Sequence, residues 1–492
     1  MDVRVVERYP SNLPESDFHP YRTGAWRPNR VAYDATDLDL VAGAVPRDLA
    51  GVYLRNTENP LFEAVSGKYH PFDGDGMLHA IAFHEGRADY RNRLVATRGL
   101  AAEIEAGRAL WAGILEDPAR SERDGWGARR RMKDASSTDV IVHRGAALTT
   151  FYQCGDAYLL DPRTLEQLGP ASWGGRFPSD LGISAHPKVD EATGELLFFN
   201  SDKDAPYMHL GVVSAAGEVL RYLPVPLPGP RLPHDMAFTE RFAILCDFPL
   251  FWDTELLGRN VHKPRFHRDL PARFGLVPRD GSGPPRWFEA EPTYVLHLVN
   301  AWEEGDEVVV DGYHQERPLQ ERREGESPLL PLLRSLDMHE LGTRLHRWRF
   351  DLRTGKTREE RLDDAITEFP SIRADRAGRP HRYVYAMTGE PGWFLFNGLV
   401  RRDMKTGARQ EWRFAKGVYA SESPFAPRLG GDPAREDDGY VVTFVSDMNE
   451  DASECQIFDA TAIDRGPVAR LRLPERISSG THACWAPASA LS

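Results

Sequence analysis

The chain reads as an all-β protein, and three observations point there. Short alternating or apolar runs recur along it, among them GELLFFN, YVLHLV, DEVVVDGY, LHRWRFDL, RYVYAMTG and GYVVTFV, and a period of two is the mark of a half-buried strand. Turns of D-x-x-T-G or related shape follow such runs, beginning at Asp161, Asp190, Asp351 and Asp403. The aspartate bonds its own turn, and the glycine supplies the positive φ that ends it. Finally, four histidines stand in distinctive settings: His186 in SAHPK, His234 in LPHDMAF, His297 in YVLHLVNAWEEGDE and His482 in THACW. They lie 48, 63 and 185 residues apart, far too wide for a helix-borne site such as HExxH. They can meet on one metal only if the fold closes radially.

Composition narrows the classes. Of 492 residues, 41% are hydrophobic and 27% charged, which is ordinary for a chain with a sizeable core. Length alone suggests roughly two to four domains, although large all-β folds often run long as one unit. The net charge of −13 disfavours nucleic acid, whose binding needs clustered Lys and Arg. The basic run RRRMK at 129–133 is short and reads as a solvated face. Cys154, Cys246, Cys455 and Cys484 form no CxxC pair, so neither a zinc ribbon nor a redox motif is indicated. The start of the chain, MDVRVVERYPSNLPESDF, lacks an apolar leader, and no run approaches the roughly 20 apolar residues that span a bilayer. A cytoplasmic location with reduced thiols is expected.

Taken in order along the chain, the exceptions to the strand pattern are few. LAAEIEAGRALWAGILE, Leu100 to Glu116, places Leu100, Ile104, Trp111 and Leu115 near one face of a helix. Ser327 to Leu341 also predicts a helix, and both segments suit a cap. The first face either packs on the body or docks on a membrane surface as an apolar patch, and FPLFWDTELL, Phe248 to Leu257, could add to either. The turns are irregularly spaced, so they mark hairpins rather than a countable repeat. Gly355-Lys356-Thr357 mimics the end of a phosphate loop, but Phe350 stands where that loop needs glycine. His339-Glu340 has no histidine three residues on, and no G-x-S-x-G elbow is present. Hydrolase chemistry has no visible nucleophile.

A single histidine in a strand such as YVLHLV is ordinarily a hydrogen-bonded core residue. The joint context changes that reading. GVYLRNTENPLF followed by KYHPFDGDGMLHAIAFHEGRADYRNR, then KDASSTDV, YLLDPRTLE, SAHPK, LPHDMAF, HLVNAWEEGDE, ITEFPSI, SESPFAP and THACW together resemble the carotenoid cleavage oxygenase family, in its order and over nearly the whole chain. The resemblance implies a single domain over residues 1–492, a seven-bladed β-propeller with a helical and loop dome carrying an apolar tunnel to a non-haem iron on the axis. Such a ring leaves only short, protected strand edges, and different blades can each deliver one of His186, His234, His297 and His482.

Four neutral imidazoles suit ferrous iron but leave its charge uncompensated among the ligands. The resemblance places Glu368 of TEFP and Glu422 of SESPFAP one layer out, each accepting a ring N–H; strand-end surface glutamates are the plain alternative. Where the family commonly carries a third such glutamate before a Gly-Gly, this chain has Gln153 and Cys154. A glutamine carbonyl can accept the N–H without carrying charge, which implies a tuned site rather than a lost one. THACW also departs, with alanine where the family often has glycine. Thr138 matches a threonine that crowds one open iron position, or is a simple β-branched strand residue. Phe62, Phe251, Trp252, Trp302 and Phe369 could line the tunnel or pack the core.

The implied reaction needs no acid, base or nucleophile from the protein: ferrous iron activates dioxygen, an alkene is attacked, and two carbonyl products leave. The implied partners are dioxygen and an apolar small molecule. Carotenoid and stilbenoid cleavers share the metal motifs. Lys133 of KDASSTDV could bind a phenolate, or be a strand-end surface lysine. Leu100, however, lies where stilbene-cleaving relatives carry a phenol-binding tyrosine, so a carotenoid or apocarotenoid is favoured over a stilbenoid or phenylpropenoid.

Overall fold

The computed structural model describes residues 1–125, 132–175, 181–259, 263–326 and 330–491. Its strands run as antiparallel meanders. Asp139–His143, Ala146–Thr150, Tyr158–Leu160 and Gln167–Pro170 form one four-stranded sheet in chain order. Lys188–Asp190, Glu195–Ser201, Met208–Val213 and Val219–Pro224 form the next. A third joins Ala237–Phe238, Phe242–Asp247, Ala272–Pro278 and Arg286–Ala290. From Val295–Glu304 onward the strands follow one continuous hydrogen-bonded path to Pro467–Arg472.

The apolar runs explain how these sheets stack. In GELLFFN, Leu196 and Phe198 pack with Leu148 and Ile183 toward the preceding sheet. Leu197 and Phe199 pack with Ala243, Leu245 and Val277 toward the following one. Successive side chains of a strand point to opposite faces, so a run apolar at every position belongs to a sheet covered on both sides. The chain ends close the arrangement. Ala483–Pro487 pairs with Gly51–Arg55, and Pro467–Arg472 pairs with Leu40–Gly43, so late strands cover edges that early ones would leave open.

The predicted turns form as their chemistry dictates. The Asp351 carboxylate accepts the amides of Arg353 and Thr354, both at 2.8 Å, and Gly355 closes the turn at φ +76°. Asp161, Asp190 and Asp403 likewise accept amides within their own turns. The helical expectations need correction. The first helix is Arg98–Ala106, ended by Gly107 in the left-handed conformation at φ +67°. Trp111 and Leu115 lie beyond it, so the four-residue apolar face does not form: Leu100 is buried while Ile104 is exposed. In the second segment, residues 327–329 lie outside the described residues, and the remainder is two short helices, Leu330–Arg334 and Met338–Leu341. Leu250–Trp252 is a strand and Thr254–Leu257 a single turn capped by Asp253. Of the basic run at 129–133, only Met132 and Lys133 are described. No helix among the described residues is long and apolar enough to cross a membrane.

Candidate metal centre

Each histidine stands at or just before a strand of a different sheet segment. His186 precedes Lys188–Asp190, His234 precedes Ala237–Phe238, His297 lies in Val295–Glu304 and His482 precedes Ala483–Pro487. One residue per segment accounts for the wide spacing. His186 takes up this place in the left-handed conformation, at φ +62°, a geometry that costs a non-glycine residue and concentrates at functional sites.

The ligand-capable atoms of the four imidazoles lie within 4.8 Å of one another. Nε2 of His186 is 3.1 Å from Nε2 of His234; two nitrogens at right angles, each about 2.1 Å from one metal, would be about 3 Å apart. Nε2 of His297 is buried with no hydrogen-bond partner, an expensive state for a lone pair that a cation would relieve. Burial, reinforced by the neighbouring rings, holds His186 and His297 well below the usual imidazole range. His234 is brought down to about 3, chiefly by burial. Burial also acts to lower His482, but the Glu422 carboxylate overrides it and lifts the ring to about 9. Three neutral imidazoles and one made basic by its carboxylate form a donor set that fits a divalent metal.

Carboxylates hold the far sides of the rings. Nδ1–H of His297 donates to Glu368 at 2.6 Å, and the Phe369 amide donates to the same oxygen. Burial pushes Glu368 well above the usual carboxylate range; a bound cation would favour its ionised form. Nδ1–H of His482 donates to Glu422 at 3.2 Å, beside the Ala483 amide. The third such acceptor is Asp139, 2.9 Å from Nδ1 of His186. This corrects the expectation for Gln153, which is buried but bonds none of the four imidazoles among the described residues. Asp139 directly follows Thr138 in SSTDV, and that adjacency is the signal which could have found it. Cys154 adopts φ +61°, and its sulfur accepts the Ser201 amide at 3.3 Å.

A cavity of about 210 Å3 opens on the site, with His234, His297 and His482 in its wall. Thr138, Phe369, Phe72, Phe394 and Leu336 help line it. Phe369 sits against two of the rings, its centroid 4.8 Å from that of His297 and 4.9 Å from that of His482. The Thr138 hydroxyl oxygen accepts the Tyr152 amide at 3.1 Å. Two groups that sequence reasoning missed also face this cavity: Tyr152, next to Gln153, and Glu58 of NTENP. Burial pushes the Glu58 carboxyl up to about 8.

The other expected substrate residues lie elsewhere. Trp252 is buried beneath the Lys203 ammonium, 5.7 Å from its ring, and Trp302 packs edge-on to His381 and under Arg347. Neither borders the metal cavity, because ring packing holds each inside its own sheet stack. Phe251 stacks on His267, centroids 4.2 Å apart. Phe62 clusters with Leu61, Met77, Leu94 and Leu100, and lines a separate, smaller cavity of about 50 Å3 together with Lys133. There Nζ of Lys133 is 2.8 Å from Asp75 and 2.7 Å from Glu103, and the ammonium is nearly buried. Two carboxylates already balance the charge that a phenolate would need.

The family model described as retinal pigment epithelial membrane protein, RPE65, matches residues 26–487. The chain belongs to the RPE65/carotenoid cleavage oxygenase family. Among its relatives in this carotenoid cleavage oxygenase family is the isoeugenol monooxygenase of Pseudomonas nitroreducens, 32% identical over 95% of this chain and 98% of its own. The carotenoid 9,10(9',10')-cleavage dioxygenase 1 of Phaseolus vulgaris is 30% identical over 96% of this chain and 90% of its own. Among solved structures, the lignostilbene dioxygenase of Pseudomonas brassicacearum superposes with a TM-score of 0.84 at 27% identity, covering 98% of this chain and all of that one. Relatives named for different alkenes thus match this chain about equally well, and substrate class must be argued from the cavity wall.

Proposed function

We propose that the chain is a non-haem ferrous-iron dioxygenase that cleaves one carbon–carbon double bond of a carotenoid or apocarotenoid to two carbonyl products. The observation that carries this reading is the opening of an apolar cavity directly onto the four-histidine group. His186, His234, His297 and His482 would hold the ion, with Asp139, Glu368 and Glu422 fixing the directions of three rings. Bound iron would supply the activation of dioxygen, whose two oxygen atoms end as the two new carbonyls while the alkene bond breaks.

The chain's own residues would do the positioning. Phe369, Phe72 and Phe394 exclude water and offer ring faces to a flat conjugated chain. Thr138 narrows one approach to the ion. No group in the wall need take or give a proton, since the alkene carbons lose none. The same reading carries a seven-bladed propeller formed as a single domain over residues 1–492. Consecutive four-stranded meanders and the pairing of Ala483–Pro487 with Gly51–Arg55 support radial closure.

A polyene is favoured because Leu100 is buried among apolar neighbours and Lys133 is already paired with Asp75 and Glu103. A second reading, cleavage of a stilbenoid or phenylpropenoid, is favoured by one observation, the Glu58 carboxyl in the cavity wall. The deciding experiment incubates iron-loaded protein under isotopically labelled dioxygen with carotenoids, apocarotenals and hydroxystilbenes, and weighs the aldehydes. Labelled polyene aldehydes support the first reading, and benzaldehyde-type products alone the second. Full iron occupancy without cleavage of any alkene would overturn both.

A further inference from the structure

Glu58 lies in the two-residue strand Glu58–Asn59 and is only 3% exposed, yet it borders the same cavity as His234, His297 and His482. Its Oε2 has no hydrogen-bond partner. Its other polar contacts are with Thr481 and its own backbone, and the nearby Arg55 and Thr481 are also engaged with other groups. Arg55, also buried, donates to the Ser421 hydroxyl and the Ser478 carbonyl. Thr481 donates its hydroxyl to the carbonyl of Thr138 at 3.0 Å, and the Ser137 carbonyl lies 3.4 Å away. The carboxylates of Asp139, Glu368 and Glu422 each serve a histidine; Glu58 serves none.

The backbone at this point is held by other contacts. Glu58 pairs with Gly76, while Asn59 exchanges two hydrogen bonds with Asn29, at 2.7 and 2.9 Å. The register aims the side chain at the cavity, where contacts with Thr481 and its own backbone still leave Oε2 without a partner. A buried carboxyl with an unsatisfied oxygen is costly and calls for an explanation outside packing. In a largely apolar cavity beside the four-histidine group, a donor on a ligand would supply the missing partner. A hydroxyl supplies one, whereas a methyl ether or a hydrocarbon does not. An ionised carboxylate accepts that proton, and a protonated one accepts it through its carbonyl oxygen.

We infer that Glu58 is a specificity-determining residue that accepts a hydrogen bond from a hydroxyl of the substrate, so that the enzyme selects hydroxylated alkenes over their deoxy or O-methyl counterparts. The inference rests on the alkene-cleaving reading of the site. Two sources carry the same donor, a phenol on a phenylpropenoid or stilbenoid, and a ring hydroxyl on an apocarotenoid.

The test uses full-length, iron-loaded protein and two matched pairs: a para-hydroxyphenylpropene with its methyl ether, and a ring-hydroxylated apocarotenal with its deoxy counterpart. The parent should prefer the hydroxylated member of one pair by about tenfold or more in kcat/KM, the scale of a hydrogen bond to a charged or buried group. The pair that shows the preference identifies the source. Glu58→Leu should erase it through KM with kcat little changed, at unaltered iron content and Tm. Glu58→Gln, which keeps an acceptor oxygen, should recover most of it. Cleavage of both members of each pair with equal efficiency by the parent would overturn the role of Glu58 while leaving the alkene reading intact. So would a loss of preference in Glu58→Leu that tracks loss of iron and is not recovered by Glu58→Gln. Absence of cleavage in all four compounds at full iron occupancy would instead remove the alkene reading, and this inference with it.

Discussion

Lys188 and Asp235 form an ion pair at 2.7 Å, two residues after His186 and one after His234. The second oxygen of Asp235 accepts the amide of Leu298 at 2.8 Å, directly after His297. One buried carboxylate thus ties together the segments that present three of the four imidazoles. The motifs SAHPK, LPHDMAF and HLVNAW carry residues that hold one another as well as residues that face the cavity.

That tie sets the first prediction. Asp235→Ala leaves the Leu298 amide and the Lys188 ammonium without their acceptor, and breaking such a pair costs about 3–5 kcal/mol. Urea unfolding of the metal-free protein should show this loss, and iron stoichiometry should fall in parallel. Unchanged stability together with full iron binding would mean that the rings are positioned without Asp235.

Asp139 and Gln153 separate in the same kind of experiment. Loss of a carboxylate behind a ligating imidazole typically weakens metal retention by about 10–100-fold. Chelator competition should show that drop for Asp139→Asn and for Glu368→Gln, whereas Gln153→Ala should hold metal like the parent. His297→Ala should lose it outright. If Gln153→Ala releases iron as readily as Asp139→Asn does, the assignment of Asp139 in its place is wrong.

Lys133 is expected to behave as a structural cation. Two carboxylates together override burial and raise it above the usual lysine range. Lys133→Met would strand Asp75 and Glu103 as a like-charged buried pair, with an expected cost of about 3–5 kcal/mol. Thermal unfolding measures it. A variant that melts like the parent but loses affinity for phenols alone would restore Lys133 as a substrate receptor.

Stability should fall on the acid side for reasons remote from the metal. Burial brings His70 down to about 3 and holds His79 well below the imidazole range, against about 6.5 in an unfolded chain. Folded-state values below the unfolded one mean that the unfolded chain binds more protons as pH drops. The stability present above about pH 6.5 is therefore lost below it, by about 1.4 kcal/mol per pH unit for each ring. Nδ1 of His70 accepts the Phe72 amide, a contact that His70→Asn can keep without the titration. Unfolding free energies between about pH 7 and pH 5 should decline less steeply in that variant; an identical slope would place the protons on other groups.

Much of this molecule was legible before any coordinates. Strand periodicity and turn chemistry are local, so the runs around Phe198, Val309 and Trp348 and the turns at Asp161, Asp190, Asp351 and Asp403 could be read from neighbours in the chain. The motifs around His186, His234, His297 and His482 singled out four rings that the structure brings to one point. The C-terminal limit of the first helix was missed, although Gly107 is a local stop signal, because the apolar spacing through Trp111 and Leu115 outweighed it. The expectation for Gln153, which took no account of Asp139, failed for a different reason. Both stand near Thr138, and which of them reaches an imidazole depends on where a neighbouring sheet presents His186.

What the sequence by itself determined is therefore the local grammar: an all-β chain, its turns, the four histidines and the family they mark. What only the tertiary structure decided is pairing. Lys133 became the partner of Asp75 and Glu103, Trp252 and Trp302 went into the core, and Glu58 was left lining a cavity with its Oε2 unpartnered. A side chain's type and period say which face it takes, but charge balance and hydrogen bonding are settled by groups hundreds of residues away, and those meet only when the sheets stack.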